Sequence, residues 1–292
     1  MRRACTILLL LAAALAARAA DSTAFSEFAW QPQILVNGSP CLFSVEIKGT
    51  PQRVTARWLG HDLMFTRGST KIWYSLAGVA YEAKPGQYEI AFDAEMRDGR
   101  VLHYVRQVMV RAAKYKTSQL TVPQKYVTPD PETLQRIEAE KAIKAEAFAH
   151  SLPVPEWSGN FVVPVSTGIS EAYGGSRTFN GKLASVHRGL DFHAPPGTPV
   201  HAANDGEVVL ARELYYEGNC VVIDHGLGFM TLYMHLSHFE VKEGETVKKD
   251  QIIALSGGTG RATGPHLHLA VRWSGDYLDP AKLLALKLPQ HP

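Results

Sequence analysis

The feature that most constrains the fold is the regular interruption of short apolar runs by turn signals containing glycine and proline. Between residues 21 and 112 these runs alternate apolar and polar residues, with the period of two that is typical of half-buried strands. Residues 88–95 and 101–110 flank Asp98-Gly99, a dipeptide that favours a tight hairpin turn. About seven strands in about 90 residues predict a small antiparallel β-sandwich, immunoglobulin-like in broad shape.

Turn signals with glycine and proline also separate the apolar runs from residue 161 to the end of the chain. A helix is predicted near this end, over residues 280–286. We therefore expect residues 153–290 to form a small domain of mostly antiparallel β-structure, so that the protein is mainly β. Its strand-like segments are residues 199–200, 207–210, 220–224, 230–233, 251–255 and 266–272.

Residues 113–152 are predicted to form a linker that contains a helix. A polar segment leads to Thr128-Pro129-Asp130-Pro131-Glu132, which has the capping residue, early proline and early acid of a helix start. The helix is expected over residues 131–150. Its apolar stripe is only partial, so we expect it to lie on one of the two domains. The stripe consists of Leu134, Ile137, Lys141 and Phe148.

The first 19 residues have the pattern of a secretion signal. Arg2 and Arg3 precede an apolar run over residues 7–15, and Ala17-Arg18-Ala19 fits the small-x-small cleavage rule. The run is shorter than the ~20 residues that span a bilayer. We therefore predict export to the periplasm or cell envelope, or secretion, with no transmembrane segment after the signal is removed.

The net charge narrows the possible classes of function further. Without residues 1–19 the chain has 27 Lys and Arg against 28 Asp and Glu, a net charge of about −1, which disfavours a nucleic-acid-binding protein.

The two remaining cysteines, Cys41 and Cys220, fall in different predicted domains. Although an exported pair can form a disulfide, we interpret both as buried apolar residues.

Three histidines and an aspartate are candidates for a metal centre. His187 and Asp191 are too far apart on an extended strand to share an ion, but a turn at Arg188-Gly189 would bring them together. His266 and His268, at i and i+2 on a strand, would point to the same face. Each pattern alone is a weak signal, because solvated or structural histidines are common; only their combination is informative.

His235, which follows an apolar run, adds another imidazole to this set. The sequence lacks the H-E-x-x-H motif, so no glutamate base of the helical zinc proteases is available. The remaining candidates for proton transfer are His235 and His266. Two neutral imidazoles and one carboxylate would leave Zn²⁺ with a net charge of +1, which lowers the pKa of bound water towards ~7.

From about residue 161 to 280 the chain resembles the lysostaphin-like (LytM-type) zinc endopeptidases, which cut peptidoglycan peptides. The runs that carry this resemblance are SRTFNG, HRGLDFHAPPGTPVHAANDGEVV, GNCVVIDHGLGFMTLYMHLS, VKEGETVKKDQII and TGRATGPHLHLAV.

The resemblance implies a small β-fold with a groove over Zn²⁺ and a peptidoglycan peptide as substrate. It also implies that His187, Asp191 and His268 are the zinc ligands, and that His235 and His266 activate water and stabilise the tetrahedral intermediate. The N-terminal sandwich and the linker lie outside the resemblance, and the sandwich is expected to bind an unspecified protein or wall ligand.

The sequence departs from the family pattern at Leu269-Ala270-Val271 and at Ser256-Gly257-Gly258, which predicts a change in groove shape rather than loss of a ligand. Arg177 and Asn180 either shape the groove or are ordinary loop residues. A further hypothesis is that the linker helix or the loop over residues 177–183 covers the groove.

Two other functions compete with the hydrolase. One is a non-catalytic adaptor that activates another wall hydrolase, although such degenerate members lack ligands that this chain retains. The other is a lipoyl- or biotinyl-type carrier, suggested by Val241-Lys242-Glu243-Gly244-Glu245, which would not need the histidines. The bond cleaved is left open between a D-alanyl–diaminopimelate cross-link and a glycine bridge.

Overall fold

The computed structural model describes residues 23–68, 71–120, 124–149, 151–179 and 183–290. The predicted secretion signal lies outside these ranges. Within them the structure is mainly β, as predicted, and none of the helices found there has the length and apolar character of a membrane span.

The N-terminal part forms an eight-stranded sheet in the order β1-β3-β6-β5-β4-β7-β8-β2. All neighbours are antiparallel except β2 and β8. The strands are β1 (Phe25–Gln31), β2 (Leu35–Val36), β3 (Pro40–Ile47), β4 (Pro51–Trp58), β5 (His61–Arg67), β6 (Ile72–Gly78), β7 (Gly86–Met96) and β8 (Val101–Arg111).

This sheet folds back on itself at β5, whose first part pairs with β4 and whose end pairs with β6. Side chains from the two halves then meet in an aromatic core. Phe43 lies 5.1 Å from Trp58 between ring centroids, and Phe25 stacks on Tyr104 at 4.7 Å. The halves therefore pack face to face as in a sandwich, while the immunoglobulin-like shape stays an interpretation of the strand order.

The C-terminal part forms a ten-stranded antiparallel sheet with the main order β10-β13-β20-β17-β16-β15-β18. Strand β19 joins β14 to β17, and β21 pairs with β20. The strands are β10 (Ile169–Glu171), β13 (Leu190–Phe192), β14 (Pro199–His201), β15 (Gly206–Leu214), β16 (Gly218–Asp224), β17 (Phe229–Phe239), β18 (Thr246–Val247), β19 (Ile252–Ser256), β20 (Leu267–Trp273) and β21 (Asp276–Leu278).

The linker is more structured than its polar sequence indicates. Strand β9 (Thr117–Leu120) pairs in parallel with β11 (Ser176–Phe179), which pairs with β12 (Leu183–Val186) in a three-stranded sheet. The chain thus joins the C-terminal β-structure before the helix begins, which the sequence analysis missed. The predicted boundaries at residues 112 and 152 stay predictions.

Two α-helices complete the described elements: α1 (Pro131–Ala149) in the linker and α2 (Pro280–Ala285) near the C-terminus. The carboxylate of Asp130 accepts a hydrogen bond from the Thr133 N–H at 2.8 Å, which caps α1. Helix α1 lies on the C-terminal sheet against β15, as expected of a partial apolar stripe. The predicted stripe was wrong at Leu134 and Lys141, which are exposed; the buried side of the helix consists of Ile137, Glu140 and Ala147 instead.

The two cysteines are unbridged and fully buried, as we interpreted them. Burial alone raises the pKa of the Cys41 thiol, and burial is also the main cause of the raised pKa of Cys220. Both side chains therefore stay neutral packing residues.

His225 is a buried structural histidine, at 0% exposure. Its Nδ1 donates a hydrogen bond to the Asp205 carbonyl oxygen at 2.6 Å, and its Nε2 lies 2.8 Å from the Thr231 hydroxyl. Burial lowers the pKa of His225 from 6.5 to about 4. The unfolded chain consequently binds a proton at this residue at a higher pH than the folded protein does.

We expect the free energy of unfolding to fall as the pH drops from about 6.5 to about 4, with His225 contributing up to ~3 kcal/mol of that loss. Urea unfolding at a series of pH values measures it. The variant His225→Gln should be less stable than the wild type at pH 7 and should lose this part of the pH dependence. Parallel stability curves for the two proteins would contradict the assignment.

Candidate metal centre

Three predicted ligand side chains meet at the junction of β12, β13 and β20. Asp191 on β13 lies directly opposite His268 on β20 in the strand register, and its Oδ1 is 2.7 Å from His268 Nδ1. His187 Nε2 lies 3.0 Å from the same Oδ1 and 3.1 Å from His268 Nδ1. One ligand atom from each residue thus falls within 4.8 Å of the other two.

The turn predicted at Arg188-Gly189 makes this convergence possible. A Cβ atom on Gly189 would lie 2.3 Å from His268 Nε2 and 2.6 Å from the Leu269 carbonyl oxygen. Only a residue without a side chain leaves room for His268 to reach His187 and Asp191.

The outer atoms of two of these side chains are held by neighbours. His187 Nδ1 donates to the Ala172 carbonyl oxygen at 2.8 Å, which directs Nε2 toward the cluster. Asp191 Oδ2 accepts from Arg177 Nη2 at 3.0 Å, so that Oδ1 faces the imidazoles. Arg177 is in turn fixed by an ion pair with Glu171. Such outer contacts orient ligands and are typical of built metal sites.

The surroundings of Asp191 and His268 shift the pKa of each side chain in the direction that favours metal binding. Burial raises the pKa of Asp191, but the charge of His268 and hydrogen bonds from both imidazoles outweigh it, and the carboxyl pKa lies well below its usual range. Burial lowers the pKa of His268, which favours the neutral ring.

The donor set fits a zinc ion. Zinc–nitrogen and zinc–oxygen bonds of about 2.0–2.2 Å in tetrahedral geometry separate ligand atoms by about 3.4 Å, close to the 2.7–3.1 Å found between these atoms. Three protein ligands leave a fourth coordination position for water or substrate, as in catalytic zinc sites.

His235 and His266 lie beside this cluster. Their ring centroids are 4.8 Å apart, and His266 Nε2 is 3.8 Å from Asp191 Oδ1. His235 Nδ1 donates to the Thr259 carbonyl oxygen and His266 Nδ1 to the Gly264 carbonyl oxygen, both at 2.8 Å. In the neutral form of each ring, Nε2 is therefore the nitrogen that accepts a hydrogen bond.

Burial, followed by the charges of His268 and His266, lowers the pKa of His235 to about 3, so its ring is neutral at physiological pH. His266 lies one residue before the start of β20 and forms an isolated bridge with Gly257. All five predicted side chains therefore meet in one place.

The five side chains line one groove of about 500 Å³. Among the described residues that line it, none belongs to β1–β8 or to α1, so the helix does not cover it there. Arg177 lines the groove, in agreement with the interpretation that it shapes the groove. Asn180 and the middle of its loop lie outside the described residues.

Sequence reasoning missed three residues around the site. Glu171, which holds Arg177, comes from a strand of three residues, and Tyr216 and Glu217 line the groove from the turn between β15 and β16. No local pattern marks these residues, because their roles depend on segments far apart in the chain.

Two imidazoles and a carboxylate around one point, with further histidines and an open groove, are the parts of a metallohydrolase centre. Comparison with known proteins agrees. The model of peptidase family M23 matches residues 185–280, which contain all five of these side chains.

Two similar proteins have names that state an activity. Peptidoglycan DD-endopeptidase ShyA of Vibrio cholerae is 54% identical over 87 residues, 30% of this chain and 20% of that protein. DD-carboxypeptidase/endopeptidase Mpg of Neisseria meningitidis is 43% identical over 105 residues, 36% of this chain and 24% of that protein. The chain thus spans about a fifth to a quarter of the length of these relatives.

A crystal structure of a candidate M23 peptidase from Pseudomonas aeruginosa is similar over most of the chain. It is 28% identical, with a TM-score of 0.64, and the match covers 85% of this chain and 94% of that one. The likeness therefore extends beyond residues 185–280.

We expect Gly189→Ala to weaken zinc binding by about 10–100-fold, because the added methyl group displaces the His268 ring. Competition with a chromogenic chelator measures the affinity. Gly86→Ala is the matched control, since nothing lies within 4 Å of its new methyl group and no positive φ is involved. Equal affinities for both variants would show that the close approach at Gly189 does not support the site.

Proposed function

We propose that the protein is an exported zinc metallopeptidase that hydrolyses peptide cross-links of peptidoglycan. The observation that carries this proposal is the convergence of His187, Asp191 and His268 within 4.8 Å, at the base of an open groove. The match to peptidase family M23 supports the same reading.

In this proposal His187, Asp191 and His268 hold the zinc ion. When bound, zinc supplies an activated water molecule and polarises the carbonyl of the scissile amide. Asp191 also neutralises part of the charge at the centre, and Arg177 and Ala172 keep the ligand atoms aimed inward.

His235 and His266 are proposed to handle the protons. Each uses its Nδ1–H to bond a backbone carbonyl, so each presents an unprotonated Nε2 to the groove. An Nε2 in this state accepts a proton from the attacking water. The protonated ring then donates to the oxyanion or to the leaving nitrogen.

The proposed substrate is a peptidoglycan peptide. The groove of about 500 Å³ is open to solvent, so that a peptide can reach the five side chains that line it. Of the two bonds left open by the sequence, the names of ShyA and Mpg favour a bond between D-residues, such as a D-alanyl–diaminopimelate cross-link.

The adaptor function is less well supported, because all five site residues are present and meet in space. The carrier function loses its basis, since the motif around Lys242 lies within the residues that match the M23 family. The export signal and a ligand of the N-terminal sandwich stay predictions.

A pair of variants tests the roles. We expect His268→Ala to lose both zinc and hydrolysis, since it removes a ligand. His235→Ala should keep zinc and lose activity by ~10²–10⁴-fold, the usual contribution of a proton-transfer group. Zinc content by elemental mass spectrometry and soluble muropeptides released from purified cell walls, with and without a chelator, are the measurements.

Normal turnover by either variant would refute the role assignments. Zinc-loaded wild-type protein that binds cell walls but releases no muropeptides would refute the hydrolase and favour the adaptor. The masses of the released fragments would identify the bond.

A further inference from the structure

The backbone at His235 is strained. His235 has a φ of 62°, a conformation that L-residues with a side chain rarely adopt. The pairing of β16 with β17 shifts at this point, from Val221 opposite Tyr233 to Asn219 opposite Leu236, so that β17 carries one extra residue. Such a bulge re-aims a side chain, here the imidazole that enters the groove.

A strained residue keeps its conformation only if its surroundings hold it there. Two hydrogen bonds do so: the His235 N–H donates to the Glu217 carbonyl oxygen at 2.9 Å, and the ring Nδ1 donates to the Thr259 carbonyl oxygen at 2.8 Å. Thr259 Oγ1 itself accepts from the Asn219 N–H at 2.9 Å. The first contact is thus made by the turn at residues 215–217 between β15 and β16, and the second is tied to Asn219, just after this turn.

Helix α1 holds this turn from the other side. The Glu140 carboxylate, only 7% exposed, accepts from the Tyr215 N–H at 2.8 Å and from Arg136 Nε at 2.6 Å. One turn further along, the Lys144 ammonium forms an ion pair with the Glu217 carboxylate. The side chains of Lys144 and Glu217 are 23% and 15% exposed, so water screens this pair only weakly.

The position of the turn depends on the Lys144–Glu217 ion pair. The second carboxylate oxygen of Glu217 is buried and has no hydrogen-bond partner among the described residues. Without Lys144 the Glu217 carboxylate would lose its ion-pair partner and keep only the Coulombic attraction of Arg261. The turn would then move to expose the charge to water. Because the Glu217 carbonyl oxygen holds the His235 N–H, that movement would reach the imidazole.

We infer that Lys144 and Glu140 of the linker helix are positioning residues for His235, acting through the turn at residues 215–217. The linker helix is then part of the catalytic apparatus rather than only a connection between two domains. The catalytic consequence rests on the proposed function of His235, whereas the structural coupling does not.

The helix has a separate apolar anchor, which allows the polar contacts to be tested alone. Ala147 belongs to a buried cluster with Leu210 and Leu232, and Ile143 and Phe148 pack against it. Lys144→Met keeps the length of the side chain and removes its charge. The helix should therefore stay docked when the ion pair is lost.

The experiment compares Lys144→Met with Lys141→Met in the full-length protein. Lys141 is the matched control, because it lies on the same helix and, within the described part of the chain, its one ion pair is an exposed i,i+3 contact with Glu138. We expect Lys144→Met to lower kcat by about 10-fold or more, as small misplacements of a catalytic group do. KM and zinc content should stay within about twofold of the wild type, and Lys141→Met should resemble the wild type throughout.

Two measurements separate positioning from general damage. The Lys144→Glu variant combined with Glu217→Lys restores the pair with reversed charges and should recover most of the kcat that Lys144→Glu loses. Hydrogen exchange followed by mass spectrometry should show faster exchange of the His235 amide in Lys144→Met, with the Ala147 segment still protected.

Wild-type kcat and wild-type exchange at His235 in Lys144→Met would overturn the inference. So would equal losses in the two methionine variants, or a loss of zinc that accounts for the activity. If the wild-type protein hydrolyses no cell-wall peptide, the proposed function fails, while the exchange of the His235 amide still decides whether α1 holds this residue.

Discussion

The site depends on one carboxylate oxygen. Asp191 Oδ1 lies within 3.0 Å of both the His187 and the His268 nitrogens, and it does so because β13 and β20 place Asp191 directly opposite His268. A shift of one residue in this register would turn one side chain to the other face of the sheet. The long buried strands β17 and β20 fix the register, since exposing their apolar faces is unfavourable.

Residues outside the M23 match also contact residues that form or support the site. Arg188, next to His187, donates to Glu82 in the connection between β6 and β7 at 2.6 Å, and its guanidinium lies over the ring of Tyr81 in the same connection. Helix α1 contacts the turn that supports His235. The groove itself stays free of both elements among the residues described, so these contacts support the site without blocking it.

Local patterns predicted most of the strands, because alternation and turn residues are properties of short segments. The hairpin across Asp98-Gly99 and the final helix illustrate this. The first strand predicted from the sequence begins at residue 34, so β1 was missed; its register shift between Ser26 and Ala29 breaks the alternation. Strand β9 was missed because its polar sequence becomes a strand only by pairing with β11. Both misses arise where a distant partner, not the local sequence, decides the conformation.

The sequence by itself determined which residues are candidates for the site: the combination of His187, Asp191, His235, His266 and His268 indicated a metal centre, and the resemblance assigned their roles. Only the tertiary structure decided what holds them. Arg177 behind Asp191 and the α1 contacts behind His235 join residues more than ten positions apart. A sequence pattern records local geometry, whereas these hydrogen bonds exist only once the sheets have packed.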